Sequence, residues 1–442
     1  MSLDWGTLSV YLLGVFLGAL DTNVIAPIFP LLERGFHVSL AWTAWTVTAY
    51  TVSYAVATVM GGALGDRVGH RRLFEAGLMA FGVASILAAL SPNFGVFVAA
   101  RIIQGAGAGA VYPNAQAAGL RLFPDGRRGT ALGLFGAVFG MAAIVGPVVG
   151  GALGQYVGWP AVFWLNAPLA VLILLRSRRL AAVGGRPGDL PDATGGVAFS
   201  VFIASALLVL AVGGPGRIVF AVLALAALWL FLQRERAAVR PFLDWHPLGR
   251  RSGAALMVGA ALIGLDMSAV VFVPTLAQRD LTVSVFVSGV ALLPAAFSGA
   301  VASGAVGVMV DRLGGRRLIV TGLLAAAAGG ILLAWPHVDW LRFVVAMVVL
   351  GTATALTMGA PLNRLGLALY RDDQTAEALA LMAVFRSVGL AAGPVVLTAA
   401  ARVHGFTGMF SVVALASMAG ALLFLLVPEA GGRQAGPEPD YG

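Results

Sequence analysis

Two aspartates and two arginines lie well inside long apolar stretches of this 442-residue chain. Asp21 and Asp266 each lie about 20 Å into an apolar stretch, if that stretch is a helix rising about 1.5 Å per residue. Arg101 and Arg386 lie within two other stretches. A carboxylate removed from water favours its protonated form, whereas the ionised form can hold a cation. Asp21 and Asp266 are therefore predicted to exchange a proton for a cationic ligand.

The same residues have a structural alternative. A charge at the centre of a membrane costs at least ~2.5–3.5 kcal/mol unless it is paired or hydrated. Each acid could therefore pair with Arg101 or Arg386 and hold helices together, and an arginine bonded to backbone carbonyls would also be structural. The symmetric placement of the two acids fits both roles.

Other polar side chains inside the apolar stretches are candidates for a substrate cavity, with helix–helix hydrogen bonding as the alternative. Proton coupling is predicted for Asp21 and Asp266. The residues predicted to line the cavity are Asp21, Asn23, Gln104, Asn114, Gln116, Asp266, Asn363 and Arg386.

The composition indicates which elements must position these residues. Hydrophobic residues make up 59% of the chain and charged residues 11%, against about 25% charged residues in soluble domains. Apolar runs of about 18–25 residues suit helices that cross a ~30 Å hydrocarbon core, and the alternation of β-barrel strands is absent. The sequence predicts an all-α polytopic membrane protein with fourteen spans, near 8–32, 41–64, 73–91, 94–120, 129–155, 160–176, 193–213, 216–234, 252–277, 284–310, 317–335, 339–369, 375–402 and 405–427.

The positions of the arginines predict the orientation of the spans. All 28 basic residues are Arg. Twenty-one of them lie in loops that follow an even-numbered span or in the C-terminal tail, and five lie in loops that follow an odd-numbered span. Because arginine-rich loops stay in the cytoplasm, both termini are predicted to be cytoplasmic, in the inner membrane of a bacterium.

Three motifs recur at nearly one offset, which predicts a duplicated six-helix unit. Ala-Leu-Asp at 19–21 returns as Gly-Leu-Asp 245 residues later, Asp-Arg-Val-Gly at 66–69 returns as Asp-Arg-Leu-Gly after 245, and Gly-Pro at 146–147 returns after 247. The predicted domains are an N-terminal six-helix bundle at 1–180, a linker with two extra transmembrane helices at 181–249, a C-terminal six-helix bundle at 250–427, and a disordered cytoplasmic tail at 428–442.

The sequence lacks the residues and motifs that several classes of enzyme require. The chain contains no Cys, so thiol catalysis and cysteine–metal sites are excluded. It has no P-loop, no His-Glu-x-x-His, no Gly-x-Ser-x-Gly and no clustered metal ligands. We therefore predict a protein that is not an enzyme, with no catalytic residues, no metal and no cofactor. The predicted partners are a small-molecule substrate, protons and membrane lipids, with no nucleic acid, and the chain is expected to act as a monomer.

The loop after the second span combines glycines and charges in a fixed pattern. Glycines permit close helix packing and a tight turn, and an Asp can pair with an Arg or with a helix N-terminus. An ordinary positive loop would explain the arginines but not the glycine spacing. The pattern resembles the signature loop of the major facilitator superfamily, with a weaker copy in the second half, although His70 stands where that loop has Arg or Lys. The residues that carry it are Gly62, Asp66, Arg67, Gly69, Arg71 and Arg72, and then Asp311, Arg312, Gly314 and Arg316.

Further motifs narrow the resemblance. The stretch from Arg101 to Gly107 is similar to the fourth-helix motif of that superfamily, whose Arg is held to assist proton transfer. The resemblance therefore implies that Arg101 takes part in proton coupling together with Asp21 and Asp266. Gly146, Pro147 and Gly150 resemble its antiporter motif, in which Pro removes a helix hydrogen bond and bends the helix. The stretches similar to the branch of fourteen-helix drug:proton antiporters are 20–30, 45–50, 158–168 and 386–389.

The resemblance implies the major facilitator fold, two six-helix bundles plus two extra transmembrane helices. It implies multidrug efflux, that is, proton-coupled antiport of small amphipathic or cationic compounds that could confer antibiotic resistance. Export of a lipid, a lipid precursor or a specific metabolite on the same fold is the alternative. Because Thr22 and Asn23 resemble the first-helix motif of the family, Asp21 is predicted to be the essential carboxylate.

Overall fold

A computed structural model describes residues 4–123, 128–178, 180, 193–211, 214–237, 251–367 and 375–428. Residues 181–192, 212–213 and 238–249 of the predicted linker lie outside these ranges, as does nearly all of the predicted disordered tail. Within the described helices, the side chains of Asp66 and Asp311 are also outside the description.

Helices make up the regular structure of the described residues. Eleven segments are long and apolar enough to cross a membrane, which confirms the prediction of an all-helical, multi-pass membrane protein. The α-helices are α1 Trp5–Val24, α2 Phe29–Phe36, α3 Leu40–Thr43, α4 Trp45–Val68, α5 His70–Ala89, α6 Phe94–Leu120, α7 Arg128–Tyr156, α8 Pro160–Ser177, α9 Ala193–Ala211, α10 Gly216–Ala237, α11 Arg251–Ser268, α12 Val273–Asp280, α13 Val285–Val290, α14 Leu293–Leu313, α15 Gly315–Ala334, α16 Trp340–Thr357, α17 Ala360–Leu367 and α18 Thr375–Leu425.

Local capping residues explain where several helices begin. Asn93 accepts a hydrogen bond from the Val96 backbone N–H at the start of α6, and Asp339 accepts one from the Arg342 N–H at the start of α16. Such side-chain acceptors satisfy N–H groups that have no partner inside the helix. The two caps are 246 residues apart, so the repeat extends to helix starts.

The first helix of each half is interrupted in the same way. Between α1 and α2 lies the 3-10 segment Ala26–Ile28, and between α11 and α12 lies the 3-10 segment Ala269–Phe272. A proline stands in the first turn of both α2 and α12, where its missing N–H would have no helical partner.

The helix α18 combines two predicted spans. His404 and Gly405 leave the helical backbone conformation inside it, and Gly405 has a φ of 58°. A positive φ is accessible to glycine at little cost. The interruption lies between the predicted spans 375–402 and 405–427.

The helices α9 and α10 pack on one another, and α9 also contacts α4 and α18. Leu207 of α9 joins a small apolar cluster with Trp45 of α4 and Val395 of α18. The inserted pair therefore lies beside a seam where a helix from before the insert meets a helix from after it.

The two halves are joined tightly at the end of the bundle that carries Glu33. Arg279 donates to Glu33 at 2.8 Å, and the Gln278 side chain donates to the Pro27 carbonyl at 3.0 Å. On the neighbouring helices, the Phe286 N–H donates to the Gln155 side chain at 2.9 Å. We call this region the Glu33 end.

Candidate functional site

Asp21 and Arg101 form a buried ion pair between α1 and α6. The distance between Asp21 Oδ2 and Arg101 Nη1 is 2.5 Å, and the two side chains are 0% and 1% exposed. Asn166 of α8 donates its Nδ2–H to the second carboxylate oxygen at 2.7 Å. Both oxygens of Asp21 are thus bonded, and one carboxylate connects three helices.

The guanidinium of Arg101 makes further hydrogen bonds and an aromatic contact in addition to the ion pair. Nη1 donates to Gln104 Oε1 at 2.9 Å, and Nε donates to the Thr46 carbonyl at 3.2 Å. The ring of Tyr50 lies 4.3 Å from the guanidinium carbon, within cation–π range. Gln104 donates onward to Ser85 at 2.7 Å. Buried charges are tolerated when they are paired and hydrogen-bonded, and this network meets that condition.

The environment of Asp266 on α11 differs from that of Asp21. Its Oδ2 accepts a hydrogen bond from Ser417 Oγ at 2.7 Å. Its Oδ1 is buried and has no hydrogen-bond partner among the described residues. Ala346, fully buried, stands 245 residues after Arg101, so the second half has no arginine at the corresponding position. Among the described residues, Asp266 therefore has one carboxylate oxygen that is free to bind a proton or to accept a hydrogen bond.

Arg386 does not replace the missing partner of Asp266. Within the described part of the chain it forms no hydrogen bond and no ion pair, and its guanidinium lies within electrostatic range of Tyr54 and Tyr112. Those tyrosines belong to α4 and α6, across the junction from α18. The structural alternative that pairs each acid with an embedded arginine thus applies to Asp21 and is not seen for Asp266.

Asn114 lies in a helix contact and not at a cavity surface. Its side chain is fully buried and donates to the carbonyls of Gly61 and Ala110 at 2.9 and 2.8 Å. Its Oδ1 lies 2.9 Å from Nδ1 of His70, which is also buried. His70, which from sequence was only a departure from the signature loop, is thus an interior residue that connects α5 to α6.

The other predicted cavity residues occupy different settings. Gln116 is half-buried and donates to the Tyr112 hydroxyl at 3.4 Å. Asn23 is half-buried and donates to the Ala19 carbonyl of its own helix at 2.7 Å. Asn363 is exposed on the short helix α17, which follows a break in the predicted twelfth span. Of these three, Gln116 is the one bonded to a tyrosine that lies within electrostatic range of Arg386.

The signature loop and its copy form equivalent turns. Gly69 and Gly314 have φ angles of 108° and 83°, a region that glycine enters without steric cost. Two residues later in each copy, an arginine bonds a carbonyl beyond the last helix of its half: Arg71 donates to the Leu180 carbonyl and Arg316 donates to the Val427 carbonyl. Each of these two arginines thus connects its loop to the segment that follows the last helix of the same half.

Three other arginines of the loop and its copy lie at the surface. Arg67, Arg72 and Arg312 are exposed. Gly62 has room for a Cβ, which would lie 3.6 Å from Pro113, whereas a Cβ on Gly65 would lie 1.7 Å from Asn114 Oδ1. The glycine that the packing requires is therefore Gly65, which the sequence analysis did not select.

The antiporter-like motif brings α7 against α1. A Cβ on Gly146 would lie 2.5 Å from the Asn23 Cβ, and one on Gly150 would lie 2.2 Å from the Val24 carbonyl oxygen. Pro147 lies inside the continuous helix α7. The glycines thus permit a backbone approach next to the end of α1, three residues beyond Asp21.

The hydrogen-bond donors to the two embedded carboxylates, Asn166 and Ser417, were not predicted as site residues from the sequence. Asn166 was noted only as part of a family stretch, and Ser417 was not noted. The two donors are 251 residues apart, close to the offset between Asp21 and Asp266, so the repeat could have indicated both. Among the residues searched, no group of acids or histidines could hold a metal ion.

Comparison with known proteins assigns the chain to a family. It matches the Major Facilitator Superfamily over residues 11–363 and 254–441. It is 32% identical to the puromycin resistance protein pur8 of Streptomyces alboniger, over 96% of this chain and 90% of that protein. It is 29% identical to the tetracenomycin C resistance and export protein of Streptomyces glaucescens, over 82% and 71%.

The fold agrees with this assignment. A crystal structure of a peptide transporter POT in complex with sulfate superposes with a TM-score of 0.74 at 15% identity, covering 95% of this chain and 94% of the other. At that identity the similarity concerns the fold alone. The sequence match extends along nearly the whole chain, and the chain belongs to the major facilitator superfamily of membrane transporters.

Proposed function

We propose that the protein is a proton-coupled antiporter that exports small amphipathic or cationic compounds across a bacterial inner membrane by alternating access. The observation that carries this proposal is the half-buried Asp266 side chain, whose buried Oδ1 has no hydrogen-bond partner in the described part of the chain. Such a carboxylate can take up and release a proton without breaking a bond between helices. The names of the two antibiotic-resistance relatives support export as the direction.

The two carboxylates have different roles in this proposal. Protonation of Asp21 would abolish its charge and leave the buried Arg101 guanidinium uncompensated, which is expensive. Protonation of Asp266 requires no such change, because the Ser417 hydroxyl can bond either form of the carboxyl group. We therefore assign proton loading to Asp266 and assign helix joining in this conformation to the pair of Asp21 and Arg101. This ranking reverses the choice made from sequence.

The energy of one proton is adequate for export. A proton that crosses ~150 mV supplies about 3.5 kcal/mol, and a pH gradient of one unit adds about 1.4 kcal/mol. Together these support a substrate concentration ratio of roughly several thousand. One carboxylate that alternates between proton and substrate is therefore sufficient in energetic terms.

Fourteen spans with both termini in the cytoplasm complete the proposed topology. Eleven segments meet the length and apolarity requirement; the helices α4 and α9 add two, and the interruption at His404 and Gly405 divides α18 into two. The proposed bundles are residues 1–180 and 250–427, with α9 and α10 beside them. In this orientation the Glu33 end faces outward, and its closure corresponds to a cytoplasm-facing state of a monomer surrounded by lipid.

Transport by purified protein in proteoliposomes tests the coupling. The compound panel includes puromycin, tetracenomycin C and a cationic dye. We expect at least one compound to accumulate when the lumen is made acidic and to stop accumulating when a protonophore is added. Accumulation that ignores the pH gradient would refute proton coupling.

Substrate-induced proton release from purified protein tests the choice of carboxylate. We expect Asp266→Asn to abolish the release and Asp21→Asn to retain at least about half of it, provided that both variants stay folded. Asp339→Asn is a suitable control because this acid caps α16 at an exposed position. Release that persists in Asp266→Asn would refute the assignment of the proton to Asp266.

A further inference from the structure

Arg386 is an interior cation with no assigned partner. It is half-buried, on α18, and in the described part of the chain it has no ion pair and no hydrogen bond. Its backbone is held in place, because a Cβ on Gly264 of α11 would lie 2.0 Å from the Arg386 carbonyl oxygen. A guanidinium cannot shed its charge in a protein. Because the described residues provide Arg386 with neither a hydrogen-bond acceptor nor a counter-charge, we assign these roles to water or to an anionic ligand.

Two tyrosines of the first half face Arg386. Trp45 clusters with Val395, and Thr48 donates to the Ala391 carbonyl at 2.9 Å, so α4 and α18 run alongside each other in opposite directions and Tyr54 is level with Arg386. Tyr54 and Tyr112 lie within its electrostatic range, and their neutral hydroxyls can donate or accept hydrogen bonds but cannot balance a positive charge. The ring of Tyr54 is stacked at 6.1 Å on Tyr50. The ring of Tyr112 packs edge-on at 5.4 Å against Phe139, which is 37% exposed. A cation therefore lies near two tyrosines at the junction of the two halves.

The repeat shows that this cation is peculiar to one half. Phe139 precedes Arg386 by 247 residues, the same offset as the recurring Gly-Pro pair, so an aromatic residue occupies the equivalent place in the first half. The embedded acid of the second half, Asp266, is bonded by Ser417 instead. Arg386 thus forms no ion pair between helices among the described residues, and its charge has no counterpart at the equivalent position of the first half.

We propose that Arg386, Tyr54 and Tyr112 form a subsite that binds the anionic group of the transported compound, so that substrates include amphipathic aromatic acids. A planar guanidinium binds a carboxylate through two parallel hydrogen bonds. The rings of the two tyrosines favour a substrate with an aromatic ring system. This inference rests on the proposed export function and narrows its substrate class. Gln116 donates to the Tyr112 hydroxyl at 3.4 Å, which leaves the proton of that hydroxyl available to an acceptor.

A matched pair of dyes tests the subsite directly. Rhodamine 110 has a free carboxyl group, and rhodamine 123 is its methyl ester. Binding of each dye to purified protein in nanodiscs of zwitterionic lipid is measured by fluorescence anisotropy. We expect Arg386→Gln to weaken binding of the acid by about tenfold or more, as for the loss of one charge-assisted hydrogen bond, and to change binding of the ester by less than about twofold.

Three further variants refine the result. Arg386→Lys should retain part of the preference for the acid, Tyr112→Phe should reduce it by a few fold, and Arg342→Gln should leave it unchanged. Arg342 is the control because it is exposed and paired with Asp339. Equal losses for acid and ester in Arg386→Gln, or no binding of the acid by wild-type protein, would overturn the proposal.

Two additional measurements separate the alternatives. An anionic lipid headgroup offers similar chemistry, so binding is repeated with anionic lipid in the nanodiscs; displacement of the acid by lipid would overturn the assignment to a soluble acid. In proteoliposomes, Arg386→Gln should still transport the ester when a pH gradient is imposed. If wild-type protein transports neither dye under that gradient but still prefers the acid, the proposed function fails for these compounds while the subsite stands.

Discussion

The two halves of the molecule place a carboxylate at equivalent positions of their first helices and surround it differently. In the first half, Asp21 is closed in by Arg101 and Asn166, and both of its oxygens are bonded. In the second half, Asp266 accepts one hydrogen bond from Ser417, and its other oxygen is unbonded among the described residues.

The difference results from one position. The donor from the last helix is present in both halves, as Asn166 and Ser417, whereas the place of Arg101 in the second half is taken by Ala346. One duplicated frame can therefore contain a stabilising ion pair in one half and a carboxylate free to bind a proton in the other. Removing one partner of a buried ion pair destabilises the protein strongly, because the other charge is left uncompensated. A carboxyl group that can become neutral avoids this cost.

Removal of the arginine of each half gives the largest expected contrast. Arg101→Ala leaves the buried Asp21 carboxylate without its cation, and we expect the free energy of unfolding to fall by about 3–5 kcal/mol. Arg386→Ala removes a side chain that has no partner in the described structure, and we expect a change below about 1 kcal/mol. Denaturant unfolding of purified protein in detergent, followed by tryptophan fluorescence, measures both values.

A second substitution provides the control for this contrast. Adding Asp21→Asn to Arg101→Ala should restore part of the lost stability, because the uncompensated charge is then gone. Equal losses for the two single alanine variants would end the distinction between the halves.

Removal of the donor to each carboxylate should give a smaller contrast of the same sign. Asn166→Ala deletes a hydrogen bond to an ionised carboxylate and is expected to reduce the free energy of unfolding by about 1.5–3 kcal/mol. Ser417→Ala is expected to reduce it by less than about 1 kcal/mol, because Asp266 can become neutral. The same unfolding measurement applies, and a larger loss for Ser417→Ala would show that Asp266 is ionised and structural.

The glycines of the two signature-loop helices extend the comparison with the smallest effects. Gly65→Ala forces a methyl group against Asn114 and His70, and we expect a loss of about 1–3 kcal/mol of stability from overpacking. Gly307 has nothing within 4 Å of its Cβ position, so Gly307→Ala should be neutral or stabilise by up to about 1 kcal/mol. Thermal unfolding of both variants measures the difference, and destabilisation by Gly307→Ala would contradict it.

Much of the architecture follows from short-range features of the sequence. The predicted span 94–120 coincides with α6, Phe94–Leu120, and the predicted span 160–176 differs from α8, Pro160–Ser177, by one residue. Length and apolarity decide which segments can cross a membrane, and caps such as Asn93 decide where they begin. The turns at Gly69 and Gly314 also follow from sequence, because their backbone conformation suits glycine.

The partners of the embedded charges were decided only by the tertiary structure. Asp21 and Arg101 are 80 residues apart, and Asp266 and Ser417 are 151 residues apart. The sequence identified both acids and both embedded arginines, but it left open whether each acid pairs with an arginine. A buried polar group takes whichever partner the packing of helices brings within about 3 Å, and that packing depends on contacts distributed over the whole chain. For this reason the ion pair of Asp21 and the open oxygen of Asp266 could not be distinguished before the helices were assembled.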